Sequence, residues 1–441
     1  MNLVNLDKEL AGIPRDRTTE LPDTVRTRID STLDNLPERQ KRKARSFLWG
    51  TTAAALVAGC TLGSAFVSPD MAAALRQVPG IQSIFRIAGD YGLKMADEKG
   101  LVTEVNQSVT VKGITITVNE VMYDGARLSI GYLQKSASGI EELGHPEFQI
   151  NGKSFNSPGS GSGSRVDDHT YAGVINLTPE TEFSDEFDLT MTVFNVGKTH
   201  GKWEFSFPVR KIASSNKAVM PMMTRTYGDL TVTVQKVIFT PSSTELTVQT
   251  KRPKQAQGFI NYDIIDDKGV VLERRGGSGG GRTEGDYEIM DFKQQFGPAE
   301  QLPKSIKVRP VLEAPSSGPL KETRLPLTGT PTEEHPLVLP QGESGALSVT
   351  KVEYFKDKTL VHYQTEGSQP FLQSTQLWIE DETGKKHLLL DKATETVDPV
   401  NYKFIREFPA FRPEQKLTFV TRELPPPNYT KDLEMTISIA P

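Results

Sequence analysis

The chain has 441 residues, with 51 Lys and Arg against 56 Asp and Glu and a formal net charge of −5 at neutral pH. That length gives room for about three domains, and a single cysteine excludes an intrachain disulfide. The residues after position 45 carry 41 Lys and Arg against 48 Asp and Glu, an acidic balance that argues against nucleic acid as a partner.

The first segment, residues 1–45, contains one predicted amphipathic helix over 22–36. Its apolar face consists of residues four or three positions apart: Val25, Ile29, Leu33 and Leu36. A segment this short cannot build a large core, so the apolar face calls for a partner: a protein, the membrane or a second copy of the helix. Arg26 and Arg28 would add polar contacts to the same partner.

Residues 46–68 are predicted to form a transmembrane helix. No charged residue lies between Arg45 and Asp70, and an apolar helix of this length reaches roughly 30 Å, the thickness of the hydrocarbon core. Because five Lys and Arg side chains precede the run at 39–45, the N-terminus is expected in the cytoplasm and the following residues outside the cell.

The same stretch leaves a lipoprotein as an alternative. The residues Val57-Ala58-Gly59-Cys60 match a bacterial lipobox, in which Cys60 would carry the lipid. A cleavable signal normally occupies the first 15–30 residues, whereas this run begins later and apolar residues continue past Cys60. A retained membrane span is therefore the preferred interpretation.

Residues 69–100 are predicted to form short helices that are interrupted at Pro79-Gly80. The apolar side chains Ile81, Ile84, Phe85 and Ala88 share one helical face. This face would pack on the first outer module or rest on the outer surface of the membrane.

The rest of the chain contains three copies of one pattern, an alternating strand, a turn and a second alternating strand: "GITITVNEVMYDGARLSIGYL" (113–133), "GDLTVTVQKVIFTPSSTELTVQT" (228–250) and "GALSVTKVEYFKDKTLVHYQT" (345–365). Two residues repeat at spacings of 116 and 115: Val121, Val237 and Val352, and then Tyr171, Tyr287 and Tyr402. We interpret the tyrosines as shared core or corner residues.

The repeats predict a mainly β protein with three tandem immunoglobulin-like β-sandwich modules at 101–213, 220–330 and 337–441. The closing strands, "KWEFSFPVR" (202–210), "ETRLPLT" (322–328) and "LEMTISIAP" (433–441), are each assigned to the module that precedes them.

No motif predicts catalysis, so the protein is expected not to be an enzyme and to need no cofactor or metal. Gly276–Gly280 matches G-x-S-x-G only formally, because it lies in "RRGGSGGGRTEG", which aligns with "SPGSGSGSRVDD" (157–168) and is predicted to be a flexible connection. The six histidines do not have zinc-ligand spacing. Arg274, Arg275 and Arg282 could contact an anion such as a wall-polymer phosphate, although a solvated loop is the simpler interpretation.

Three stretches carry a resemblance to a known family: "LPDTVRTRIDSTL", "SPDMAAALRQVPGIQSIFRIAGDYGL" (68–93) and "EKGLVTEVNQSVTVKGITITVNEVMYDGARLSIGY" (98–132). They resemble single-pass membrane proteins of Gram-positive spore-formers whose first outer domain has unknown function. Such proteins are often encoded beside an extracytoplasmic-function sigma factor, and the resemblance implies an anti-sigma or regulatory role. Residues 1–45 lack the His and Cys of the zinc anti-sigma motif, so any sigma contact would use the helix at 22–36.

The sequence thus favours a membrane-anchored regulator, either an anti-sigma factor or an envelope sensor. Its expected partners are a sigma factor bound through residues 1–45, the membrane and an unidentified envelope ligand. The alternative is a cell-surface adhesion or spacer protein, or a lipoprotein, with no role in transcription.

Overall fold

The computed structural model describes residues 83–87, 90–155, 159–179, 183–212, 216–256, 258–313, 319–389 and 394–439. These residues are mainly β and form several antiparallel sheets. The predicted cytoplasmic helix and the predicted span at 46–68 lie outside the described residues. Among the helices that are described, none combines the length and the apolar composition needed to cross a bilayer.

Two sheets form the first module around one apolar core. Its described strands are β1 (Thr103–Val111), β2 (Ile114–Tyr123), β3 (Leu128–Ser136), β4 (Glu147–Ile150), β5 (Lys153–Phe155), β6 (Gly159–Asp167), β7 (Thr170–Leu177), β8 (Glu186–Val196) and β9 (Thr199–Arg210). The sheet orders are β1-β2-β3-β7-β6 and β5-β4-β8-β9. Trp203 is fully buried between the sheets and donates its indole N–H to the Ile114 carbonyl at 3.0 Å.

Two helices, α1 (Ile84–Ile87) and α2 (Tyr91–Glu98), cover the other face of the five-stranded sheet. The apolar side chains at this contact are Ile84, Phe85, Leu93 and Ala96 from the helical segment and Met122, Leu133, Ala172 and Val174 from the sheet. Of the two surfaces that the sequence left open for this apolar face, the structure places Ile84 and Phe85 on the first module.

The remaining strands build two further pairs of sheets. They are β10 (Lys217–Val219), β11 (Met223–Tyr227), β12 (Leu230–Phe239), β13 (Thr244–Pro253), β14 (Phe259–Asp266), β15 (Arg274–Glu284), β16 (Tyr287–Phe296), β17 (Ser305–Glu313), β18 (Glu322–Pro326), β19 (Leu337–Pro340), β20 (Gly345–Tyr354), β21 (Lys358–Gly367), β22 (Trp378–Glu380), β23 (Lys386–His387), β24 (Glu395–Asp398), β25 (Lys403–Pro409), β26 (Thr418–Arg422) and β27 (Met435–Ser438). A short helix, α3 (Pro370–Ser374), follows β21.

The second and third modules exchange their closing strands. The second module consists of the sheet β10-β12-β13-β16-β15, with β11 also on β12, and the sheet β14-β17-β27. The third consists of β19-β20-β21-β25-β24 and β18-β26-β22-β23. Thus β27, from the end of the chain, pairs with β17, and β18 pairs with β26. This differs from the sequence-based assignment of 322–328 and 433–441 to the modules that precede them.

The length of the connection explains why only these two modules exchange strands. In the first module β8 and β9 are joined by Gly197 and Lys198 alone, and so short a hairpin loop returns the chain to the strand it has just left. The links 314–321 and 423–434 are longer, so their strands can reach another sheet. Each closing strand alternates in the same way, and the alternation does not distinguish one module's sheet from the other's.

The repeated valines occupy one structural position, whereas the repeated tyrosines do not. Val121, Val237 and Val352 each follow a shift in register and pair with equivalent residues of the next strand. Val121 and Val237 are buried and Val352 is partly buried against its core. Measured along the strands from these valine pairs, Tyr171 and Tyr402 occupy equivalent positions in the first and third modules. In the second module Met290 occupies that position, and Tyr287 lies three residues before it.

The two glycine-rich stretches are edge strands, so their prediction as flexible connections was wrong. They form β6 and β15, each hydrogen-bonded along one side to its neighbour. At several of their glycines a side chain has no room, because side chains and carbonyl oxygens of the neighbouring strand lie close to the edge. A Cβ at Gly163 would overlap Tyr171, and one at Gly277 or Gly279 would overlap Phe292. Aromatic cover of this kind supports glycine at a sheet edge.

Candidate functional site

The helical segment begins on a buried carboxylate of the first module. Glu120 on β2 accepts hydrogen bonds from the Ser83 hydroxyl at 2.9 Å and from the Phe85 amide at 2.8 Å. Gly131, opposite Glu120 on β3, has no side chain and therefore leaves room for the carboxylate and for Ile84. Burial raises the pKa of Glu120 to about 7, because a charged carboxylate is poorly solvated at this position.

Asp90, which caps the N-terminus of α2, joins the helix to two modules. Its Oδ1 accepts from the Leu93 amide at 2.9 Å, and its Oδ2 lies 2.9 Å from Nη1 of Arg127 and 2.9 Å from Nη1 of Arg275. Arg127 belongs to the β2–β3 turn of the first module and Arg275 to β15 of the second. Burial alone would raise the pKa of Asp90, but the two guanidinium groups hold it well below its usual range.

A second buried carboxylate fastens the first module directly to the second. Oδ2 of Asp124, in the β2–β3 turn, accepts from the hydroxyls of Thr240 at 2.7 Å and Ser243 at 3.3 Å, and also from the Ser242 hydroxyl. These three residues form the β12–β13 turn. Arg127 adds a hydrogen bond from Nη2 to the Ser242 carbonyl at 2.9 Å. The two turns are therefore held together by charged and hydroxyl groups out of contact with solvent.

Gly92 allows α2 to approach this contact closely. A Cβ at position 92 would overlap the Ser242 carbonyl oxygen, which is backbone and cannot swing away as a side chain would. The helix start, the β2–β3 turn, the β12–β13 turn and β15 thus meet at one point. We call Asp90, Gly92, Arg127, Ser242 and Arg275 the helix junction.

The third module also contacts α2. Nζ of Lys94 lies 3.0 Å from Oε1 of Glu395 at the start of β24. The second and third modules contact each other beside it, where the Val271 amide donates to the Tyr402 hydroxyl at 2.8 Å. The short segment 83–98 therefore has polar contacts with all three modules.

Two cavities flank the first turn of α2. A polar cleft of about 190 Å³ lies between the edge strands β6 and β15, with Asp90, Arg127 and Arg275 in its lining. A second cavity, of about 140 Å³, lies between α2 and the second and third modules and is lined by Tyr91, Val271 and Val400 among others. Because Asp90 borders one cavity and Tyr91 the other, a change in either would act on the same helical turn.

The structure does not bring the three arginines of the predicted anion contact together. Nη2 of Arg274 pairs with Asp263 at 2.8 Å, and Arg282 pairs with Glu284 and Asp291, each at 3.0 Å. Arg275 lies between Asp90 and Glu273. Each guanidinium already faces carboxylates. The other predicted site residues lie outside the described part of the chain: Val25, Arg26, Arg28, Ile29, Leu33, Leu36 and Cys60.

Sequence reasoning missed the helix junction, although one of its members had a local signal. Asp90 stands directly before a helical stretch, where Asp is a favoured cap. Its ion pairs join residues far apart in the chain and have no local pattern. Within the described ranges, no group of three His, Cys, Asp or Glu side chains could hold a metal ion.

Two regions of the chain match families of unknown function. Residues 42–136 match a family model described as "Domain of unknown function (DUF4179)", and residues 216–334 match one described as "Family of unknown function (DUF5643)". Curated proteins give no match. Among solved structures, the crystal structure of a conserved domain protein from Bacillus anthracis is similar, with 20% identity, a TM-score of 0.42, and coverage of 54% of this chain and 88% of that one.

Proposed function

We propose that the protein is a membrane-anchored regulator in which the segment 83–98 transmits the state of the outer modules toward the membrane. One observation carries this proposal: the described helical segment between the predicted span and the first strand contacts each of the three modules, through Glu120, Arg275 and Glu395. A segment that served only as a tether would need none of these contacts. Its buried ion pairs instead make the position of α2 depend on how the modules are arranged.

On the inner side, the predicted helix at 22–36 would hold a sigma factor. Val25, Ile29, Leu33 and Leu36 would supply the apolar contact, and Arg26 and Arg28 the polar ones. The resemblance to proteins encoded beside sigma factors supports this part of the proposal. Tethering at the membrane would keep the partner away from the transcription machinery and raise its local concentration near the helix.

The test uses Gly92→Ala in the full chain, with reporter transcription from the promoter of the neighbouring sigma-factor gene as readout. The added methyl group should separate α2 from Ser242, release the partner and raise reporter output without a stimulus. Gly280→Ala is the matched control, because a Cβ there meets nothing within 4 Å. Ile29→Asp with Leu33→Asp should raise output as well, since it places charges in the apolar contact. An unchanged reporter in all variants, and in a strain lacking the gene, would refute the regulatory role.

A surface spacer or adhesion protein is the second candidate, and the exchanged strands favour it. Because β18 and β27 each complete the other module, two links of the chain, 314–321 and 423–434, join the second and third modules and both oppose their separation. This construction resists extension. A silent reporter, together with altered cell-surface attachment in the deletion strain, would support this candidate.

A further inference from the structure

The cavity beside Tyr91 has the walls of a site for one small apolar group. Its apolar lining comes from two modules: Val271, Leu272, Pro298, Leu302, Pro399 and Val400. The volume of about 140 Å³ is close to that of an apolar cavity known to admit benzene, roughly 150 Å³. One aromatic ring or one branched aliphatic group therefore fills it.

The rim of this cavity is acidic. Three carboxylates and two lysines line it: Asp266, Asp267 and Glu300, and Lys268 and Lys304. Oδ1 of Asp266 accepts from the backbone amides of Lys268 at 2.9 Å and Val270 at 2.8 Å, and Oδ1 of Asp267 from the Lys304 amide at 3.2 Å. These donors are uncharged, so they leave the negative charge of both carboxylates in place.

The pKa of the Tyr91 hydroxyl is shifted by the same acidic surroundings. Burial raises the pKa of its hydroxyl, and the nearby carboxylates of Glu300, Asp398 and Glu98 raise it further, because each disfavours a phenolate. A ligand anion would meet the same repulsion, whereas a cation would be attracted.

We propose that this cavity binds a small organic cation with an apolar body, with the apolar group against Val271 and Leu302 and the positive charge at Glu300. Such a ligand would touch Tyr91, the first residue of α2. Its role as a stimulus rests on the proposed regulatory function, but its binding does not, because binding needs only the cavity.

The probe is phenethylammonium, compared with the alcohol 2-phenylethanol and with 3-phenylpropanoate, which place neutral and negative groups at the end of the same phenylethyl body. Each is titrated by ligand-observed NMR against the full chain in nanodiscs of zwitterionic lipid, with empty nanodiscs as blank. A ligand of this size is expected to bind with a dissociation constant on the order of millimolar. The cation should bind most tightly and the anion least.

Two pairs of variants distinguish the contribution of the charged rim to binding from that of the apolar wall. Glu300→Gln should weaken binding of the cation about two- to fivefold, as for an exposed ion pair, and leave the alcohol unchanged. Its control is Glu382→Gln, at another exposed glutamate. Leu302→Ala should weaken both ligands about threefold or more, with Leu372→Ala as control. Leu302 and Leu372 are 55% and 46% exposed, so neither change should unfold the protein.

Absence of saturable phenethylammonium binding, or equal binding of all three probes, would overturn the inference. So would a response to Glu300→Gln no larger than the response to Glu382→Gln. These results would leave the regulatory proposal standing, because they are measured without the cytoplasmic partner. Binding as expected with a silent reporter would instead refute the regulatory proposal and leave the ligand site.

Discussion

The exchanged strands predict that a change near the end of the chain destabilises the second module. Ile437, on β27, pairs with Ile306 on β17 and is 2% exposed in the core of that module. Replacing a buried Ile by Ala costs about 2–5 kcal/mol, since apolar contacts are lost and a cavity remains. Taking about 3 kcal/mol for Ile437→Ala, opening of the second module should become on the order of a hundredfold more frequent.

Hydrogen exchange followed by mass spectrometry gives the position of the change. Backbone amides that exchange through opening of the second module should exchange about a hundredfold faster in the peptides that cover β14 and β17. Peptides from β21 and β25 of the third module should keep their protection. A comparison of melting temperatures alone would not suffice, because it does not say which module opened.

Leu347→Ala is the matched control for this experiment. Leu347 is on β20, is fully buried in the core of the third module and, like Ile437, lies in the segment 337–441. Its replacement should accelerate exchange in the third module and leave β14 and β17 protected. If Ile437→Ala instead accelerates exchange in β20 to β26 and spares β14 and β17, the strand exchange is refuted.

Three further changes test the structure. Leu325→Ala on β18 should loosen the third module, although residue 325 follows the second, and exchange in β26 will show it. Burial raises the pKa of Glu120 from 4.5 to about 7, so the stability that Glu120 contributes is complete below pH 4.5 and lost as the pH rises through 7. This loss is at most about 3 kcal/mol. Urea unfolding should therefore show that Glu120→Gln is more stable relative to the wild type at pH 8 than at pH 4. Asp90→Asn should cost about 3–5 kcal/mol, since the buried Arg127 loses its ion pair with Asp90 and Arg275 keeps only Glu273. The cost should persist at pH 4, because the folded pKa of Asp90 is far below its ordinary value.

The residue pattern was enough to predict most of the strands and the face of each that contacts a module core. Alternation along "ITITVNEV" and its counterparts follows from the period of two in a strand, and the inward valines at 121 and 237 are buried. The other face of β2 is buried as well, under α1 and α2, which alternation alone does not indicate. The sequence-based prediction was wrong for the glycine-rich stretches, because a run of glycines is typical of a loop. Their cover by Tyr171 and Phe292 exists only once neighbouring strands have paired. The immunoglobulin-like classification, the membrane span and the sigma contact remain predictions.

The module that each closing strand completes, and the place where the helical segment meets the modules, became known only from the packing of the folded chain. A strand's pattern specifies a buried face but not whose sheet buries it, so β18 and β27 could not be assigned from sequence. In the same way, the residues of the helix junction lie far apart in the chain. Asp90, Arg127 and Arg275 become a unit only because packing removes them from water together, and in that environment each charge requires the others.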